Sequence, residues 1–449
     1  MTPATRPASS NICWPLCAPE VGLSAMLKLA SSALVVLIAP PLYLMLDLAV
    51  VGRLGATELA ALTVATLVLS VISTQLTFLS YGTTARSARA FGAGDRERAI
   101  HEGVQASWIA LGVGGAIVAI AWLLAPQITR ALVPDPQVAA DAASWLRIAV
   151  FGVPLILFAM AGNGWMRGVQ DTRRPVYFVV AGLAVSAVLC IGLVHGVGGL
   201  PRFGLQGSAW ANLVGQSITG VAFVARLVSE RTGGLAPDWP VIRAQLTMAR
   251  DLVLRSLSFQ ICFISAAAVA ARFGVAQVAA HQVVLQLWEF SSLLLDSLAI
   301  AAQQLVGAAL GAGAFHVARR SARHATVVSF GVSVALAGVL AAGVTLIPRI
   351  FTDDAEILDA MRTPWWFFVV MLPIAGVVFA LDGVLLGSGD AAFLRTATLA
   401  GALGAFLPLI WLSWVFDWGL AGIWSGLLAF MCIRLAAVVW RVRSGAWVK

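Results

Sequence analysis

The chain has 449 residues, of which 60% are apolar and only 11% charged, against about 45–50% and about 25% in soluble domains. These proportions exclude an ordinary soluble protein. The net charge of +8 does not make a nucleic-acid-binding stripe either, because the basic residues fall at the ends of apolar runs, where the positive-inside rule puts them.

The first twenty residues hold four prolines and lack the charged region, apolar core and cleavage site of a signal peptide. They read as a disordered start. Cys13 and Cys17 have no Cys or His cluster beside them, while Cys190, Cys262 and Cys432 lie in or beside apolar runs. Neither a metal site nor a disulfide framework is expected. Runs of about 20 apolar residues then mark twelve membrane spans. They fall near 27–51, 58–82, 99–124, 138–165, 174–196, 207–228, 251–271, 277–305, 325–347, 364–387, 394–416 and 419–440. Most of the tryptophans sit near span ends, as an interfacial belt does.

One long hydrophilic connection, Ser229 to Leu246, divides the spans six and six. The expected organisation is a tail over 1–26, an N-lobe over 27–228, a cytoplasmic connection over 229–250, a C-lobe over 251–440 and a tail over 441–449. Seven of the 29 basic residues (Arg53, Arg130, Arg147, Arg202, Arg272, Arg349 and Arg362) fall on one side. The remainder, counting Arg167, Arg255 and Arg434 as loop residues, fall on the other. Both termini are therefore expected in the cytoplasm, with the protein in the inner (plasma) membrane.

The halves repeat. Gly52–Val64 matches Ala271–Val283 at five of thirteen positions. At the same offset of 219, Phe91–Ala99 meets Leu310–Ala318, Pro154 meets Pro373, Gly168 meets Gly387 and Asp171 meets Asp390. Gly204-Leu205 meets Gly419-Leu420 at an offset of 215. Six spans is an even number, so both halves enter the membrane the same way. The fold class is an all-α integral membrane protein, with twelve transmembrane helices in two pseudo-symmetric six-helix lobes related as parallel repeats.

The intramembrane acids break this symmetry. Asp47 lies in the first span, where a carboxylate costs about 2.5–3.5 kcal/mol on insertion scales, and its repeat partner is Ala266. An intramembrane acid is a functional candidate by default. Glu289, Asp296 and Asp382 belong to the eighth and tenth spans, with Ser70, Thr77 and Asn163 opposite. Glu289 and Asp296 are seven apart and share a helix face; Asp382 can join them as a second cation or proton site, or Gln260, Gln303 and Gln304 can satisfy all three as interhelical glue. His281 reads as an interfacial histidine, and Asp171 and Asp390 as turn or helix caps. Gln75, Asn163, Asn212, Gln216 and Gln260 are candidates for a substrate cavity.

The run LDLAVVGRLG, VAAHQV at Val278–Val283, the FGAG and LGAG turns, RGVQDTRRP at Arg167–Pro175 and LDSLAIAAQQLVG at Leu295–Gly307 resemble multidrug and toxic compound extrusion (MATE) transporters. The last motif is similar to the DinF-like branch. The resemblance runs from about Leu29 to Arg443. It implies outward antiport of amphipathic, often cationic compounds against H⁺ or Na⁺, with Asp47 as the coupling residue of the N-lobe. Two departures from the family pattern stand out. Cys190 lies near where some members pair a fifth-span acid with Asp47, and Phe259-Gln260 occupy the place of a seventh-span acid of the Na⁺-coupled branch.

A lone carboxylate suits a proton better than sodium, which prefers several oxygen ligands. The expectation is H⁺ antiport with no other cofactor, no metal and no catalytic residue. Ala39-Pro40-Pro41 would supply a kink for repacking of the first helix. Expected partners are small amphipathic substrates and the bilayer, with no nucleic acid, for a monomer. The alternatives are Na⁺-coupled export, or a flippase for lipid-linked precursors. A flippase would want a basic cavity, whereas the intramembrane charges read as acidic apart from Arg147. No motif of an enzyme is present.

Overall fold

The structure, a computed structural model, describes residues 23–231 and 233–448. The expectations for the first twenty residues, Cys13 and Cys17 among them, lie outside those ranges. Among the described residues twelve helices are long and apolar enough to span a membrane. In chain order they are α1 (Leu23–Val51), α2 (Ala56–Gly92), α3 (Arg96–Leu132), α4 (Pro136–Gly168), α5 (Arg173–His195) and α6 (Leu205–Glu230). The second half has α7 (Trp239–Arg272), α8 (Val275–Gly311), α9 (Phe315–Ala342), α10 (Ala355–Gly387), α11 (Ala391–Val415) and α12 (Gly419–Arg443).

Several helices start earlier than their apolar runs. α7 begins at Trp239 rather than 251, so much of the expected connection is helical. The Asp238 carboxylate accepts from the Val241 amide and caps that start. α10 begins at Ala355 rather than 364, where Asp354 accepts from the Glu356 amide at 2.9 Å. Hydropathy reports only the part of a helix inside the bilayer; the caps fix where the helix begins. Local breaks occur at Thr77 in α2, at a 3₁₀ turn over Val150–Gly152 in α4 and at a π turn over Ala402–Phe406 in α11.

The repeat is visible in the backbone. Left-handed residues come in pairs at the sequence offsets: Gly94 (φ 82°) with Gly313 (69°), Gln170 (63°) with Gly389 (80°), and Gly204 (57°) with Gly419 (59°). Gln170 holds a conformation that glycine takes freely and other residues take at a cost.

The lobes meet at the Arg-rich end. Residues 78–92 of α2 pack on α8, α1 packs on α8, and α7 packs on α2 and α3. Here two backbones nearly touch. A Cβ added at Gly92 would lie 1.9 Å from the Ala308 carbonyl oxygen, and one at Gly311 would lie 1.9 Å from the Arg89 carbonyl oxygen. These contacts are repeat mates, so α2 and α8 cross about the pseudo-twofold axis. Residues 56–76 make no comparable contact with α8. The molecule is closed at its Arg-rich end, and its lobes part toward the other.

The connection before α7 is fastened to the N-lobe. Trp108 Nε1 donates to the Leu235 carbonyl at 2.7 Å and Gln105 Nε2 to that of Ala236 at 3.1 Å. The Asp238 amide donates to Gln105 Oε1 at 2.9 Å, and Gln245 Nε2 to Glu102 Oε2 at 2.7 Å.

Gly92→Leu or Gly311→Leu should force this crossing apart, because close-packed backbones cannot absorb a side chain there. Spin labels at Ala93 and Ala312 should show a longer distance in either variant. An unchanged distance would mean that the close approach does not hold the Arg-rich end shut.

Candidate functional site

Where the lobes begin to part lies a cavity of about 160 Å³. Its polar wall is Tyr81, Arg255, Asp296, Gln303 and Asp382, and Phe78, Phe259 and Phe379 make the apolar one. Thr77, at the break in α2, lines it opposite its repeat mate Asp296. The Tyr81 hydroxyl donates to Asp296 Oδ2 at 2.5 Å, a bond from the N-lobe to the C-lobe. Gln303 Nε2 donates to the Tyr81 carbonyl at 2.7 Å.

Asp382, 5% exposed, is held differently. Arg255 donates to its Oδ2 at 2.5 Å, and Arg434, itself buried, pairs with the same oxygen. The Arg434 guanidinium also lies over the rings of Phe259 (5.2 Å) and Phe430 (5.5 Å). Arg167 is buried close to Tyr81 and Asp296. Three arginines counted as loop residues thus lie inside the protein. α7 starts four turns before Arg255, which carries that residue deep into the lobe. Arg147 does the reverse: it stacks on Trp122 at 5.0 Å, near the opposite end.

In the N-lobe, Asp47 is 1% exposed. The Cys190 thiol on α5 donates to its Oδ1 at 3.2 Å. The Ser208 hydroxyl of α6 faces the same carboxylate and accepts from Trp145 Nε1 at 3.2 Å. Tyr43, one turn earlier, is close by with its hydroxyl buried and unpartnered. Among the described residues no cation forms an ion pair with Asp47. α1 stays helical through Pro40 and Pro41.

The structure separates the remaining candidates. Glu289 does not join Asp296 and Asp382. It is exposed, with Gln286 at 3.5 Å, because seven residues along a helix return to the same face but rise about 10 Å. Gln75, Asn163, Asn212, Gln216 and Gln260 do not line the central cavity. Gln75 has both amide atoms buried without a partner, as does Gln304; Asn163 has one. His281 is buried rather than interfacial, edge-on to Trp424 at 5.9 Å. Asp171 accepts from the Arg174 amide at 3.4 Å, as a turn acid does. Asp390 makes no cap; it pairs with Arg441 of α12 at 2.6 Å.

Two lobes closed at one end around a central cavity, with buried acids in each, are the architecture of a membrane transporter. The chain matches the MatE family over residues 32–191 and 252–412, and it belongs to that family. It is 31% identical to "Protein DETOXIFICATION 44, chloroplastic" of Arabidopsis thaliana, over 95% of this chain and 84% of that one. It is 29% identical to "DNA damage-inducible protein F" of Escherichia coli (strain K12), over 91% and 90%, which agrees with the DinF-like branch. In fold it is similar to a solved "outward-facing conformation of a multidrug resistance MATE family transporter of the MOP superfamily". The TM-score is 0.84 at 22% identity, covering 94% of this chain and 96% of the other.

Asp382→Asn should destabilise the protein by about 3–5 kcal/mol, because it leaves buried arginines without their counter-charge. Asp296→Asn should cost much less, since an amide oxygen still accepts from Tyr81. Thermal unfolding of the two variants in detergent checks the order; equal midpoints would contradict it.

Proposed function

We propose that the protein exports amphipathic compounds by H⁺-coupled antiport, with Asp47 as the proton site. The observation that carries this reading is the contrast between the two lobe acids. Asp382 has two arginines on one of its carboxylate oxygens. Asp47 has only a thiol and a hydroxyl beside it, and no cation pairs with it among the described residues. That ligand set is poor in the oxygens a sodium ion prefers. Protonation would remove the buried charge and let α1 repack against α5 and α6, which changes the lobe that faces the cavity.

Phe78, Phe259 and Phe379 beside Asp296 support an amphipathic cargo with a cationic head. The solved relative named for multidrug resistance supports export as its direction; the proposed setting is a plasma membrane, with both chain ends in the cytoplasm and the protein acting as a monomer. A second reading, flipping of lipid-linked precursors with anionic headgroups, gains support from the buried Arg167 and Arg434 and the half-buried Arg255. Their presence removes the objection that the interior charges are acidic.

Purified protein in liposomes tests both readings. Under an imposed proton gradient, wild type should expel a lipophilic cationic dye and Asp47→Asn should not. Sodium-driven efflux, or an unimpaired variant, would refute Asp47 as the proton site. Inhibition by anionic amphiphiles and indifference to cationic ones would favour the flippase.

A further inference from the structure

A second cavity, away from the centre, lies at the Arg-rich end and measures about 750 Å³. It opens on the seam between the lobes. Met26 of α1, Leu305 of α8 and Val328 of α9 give it an apolar floor. Arg319, Arg320, Arg323 and His324, on the first three turns of α9, give it a basic wall. The three arginines are exposed, and among the described residues they enter no ion pair.

The repeat provides an internal control. At the offset of 219, Arg320 corresponds to His101, His324 to Gln105 and Val327 to Trp108. The matching groove of the N-lobe is filled by protein: Gln105 and Trp108 grip the backbone of Leu235 and Ala236, and His101 Nε2 lies 3.3 Å from Asp238. In the C-lobe both gripping side chains are gone. Arg319 and Arg323 replace Ile100 and Val104 as well. A groove that holds neutral backbone in one lobe has become, in the other, a cluster of guanidinium groups over an apolar floor.

Guanidinium groups recognise phosphate through paired, charge-assisted hydrogen bonds, and basic pockets between helices on the cytoplasmic side bind anionic headgroups. We propose that this groove binds one anionic phospholipid, with its phosphate on Arg319, Arg320 and Arg323 and its acyl chains along Met26, Leu305 and Val328. A lipid so placed ties α1 of one lobe to α9 of the other, and thereby favours the state in which the Arg-rich end is closed.

The test uses the full chain in nanodiscs of phosphatidylcholine containing a minority of phosphatidylglycerol, with the lipid that survives extraction counted by native mass spectrometry. Wild type should retain phosphatidylglycerol in preference to phosphatidylcholine. Affinity should fall by about fivefold for each arginine replaced by glutamine. The triple variant Arg319→Gln, Arg320→Gln, Arg323→Gln should lose the preference, while Arg231→Gln with Arg243→Gln, on the same face, should keep it. An equal preference in the triple variant would overturn the site. So would a full chain that retains no phosphatidylglycerol until residues 1–20 are deleted, because the groove would then belong to the chain's own leading segment.

Discussion

The close approach of α2 and α8 sets the terms for everything else in the molecule. Gly92 lies against Ala308 and Gly311 against Arg89 with no room for a side-chain atom. Two helices can pass this closely only where glycine leaves the backbone bare. The crossing makes a floor, and the central cavity stands directly on it. It also brings Tyr81 of one lobe within reach of Asp296 of the other. A wider crossing would lose both the floor and that bond. Because the contact is backbone on backbone, it depends on shape alone and places no demand on charge.

Above that floor the two lobes share a scaffold and divide the electrostatics. Asp47 faces neutral partners in the N-lobe, and its repeat mate Ala266 is buried in an apolar cluster. Asp382 sits between Arg255 and Arg434 in the C-lobe, and its mate is Asn163. Arg255 corresponds to Val36, which packs into an apolar cluster with Phe223 and Trp165. One lobe therefore carries an acid with no cation paired to it among the described residues. The other carries an acid whose neutralisation would strand two cations. The two halves are not interchangeable copies.

Much of this was legible in the sequence. Run length gave the spans, and an offset that survives across a hundred residues gave the lobes, down to the paired left-handed turns. Asp47 stood out because a charge amid apolar neighbours is conspicuous. The arginine cluster was hidden by the rule that located the loops: counting every arginine near a span end as cytoplasmic absorbed Arg167, Arg255 and Arg434. A signal was present for Arg434, which has Met-Cys-Ile before it and Leu-Ala-Ala after it. For Arg255 the signal was the Asp238 cap, which places the start of α7 well ahead of its apolar run. Glu289 misled because periodicity reports the face of a helix and says nothing of height along it. Which polar side chains meet in the cavity was not legible at all, since that depends on how α2, α7, α8 and α10 are brought together by the crossing.

The connection ahead of α7 bears on how such a molecule can move. Leu235, Ala236 and Asp238 are fastened to Gln105 and Trp108 of α3, and Gln245 to Glu102. At the offset of 219 the residues corresponding to Leu235–Asp238 are 16–19, which lie outside the described residues. Opening at the Arg-rich end must either break the hydrogen bonds to α3 or pivot about them. The pivot is the cheaper course, and it turns the motion into that of a door hinged along α3 and α7.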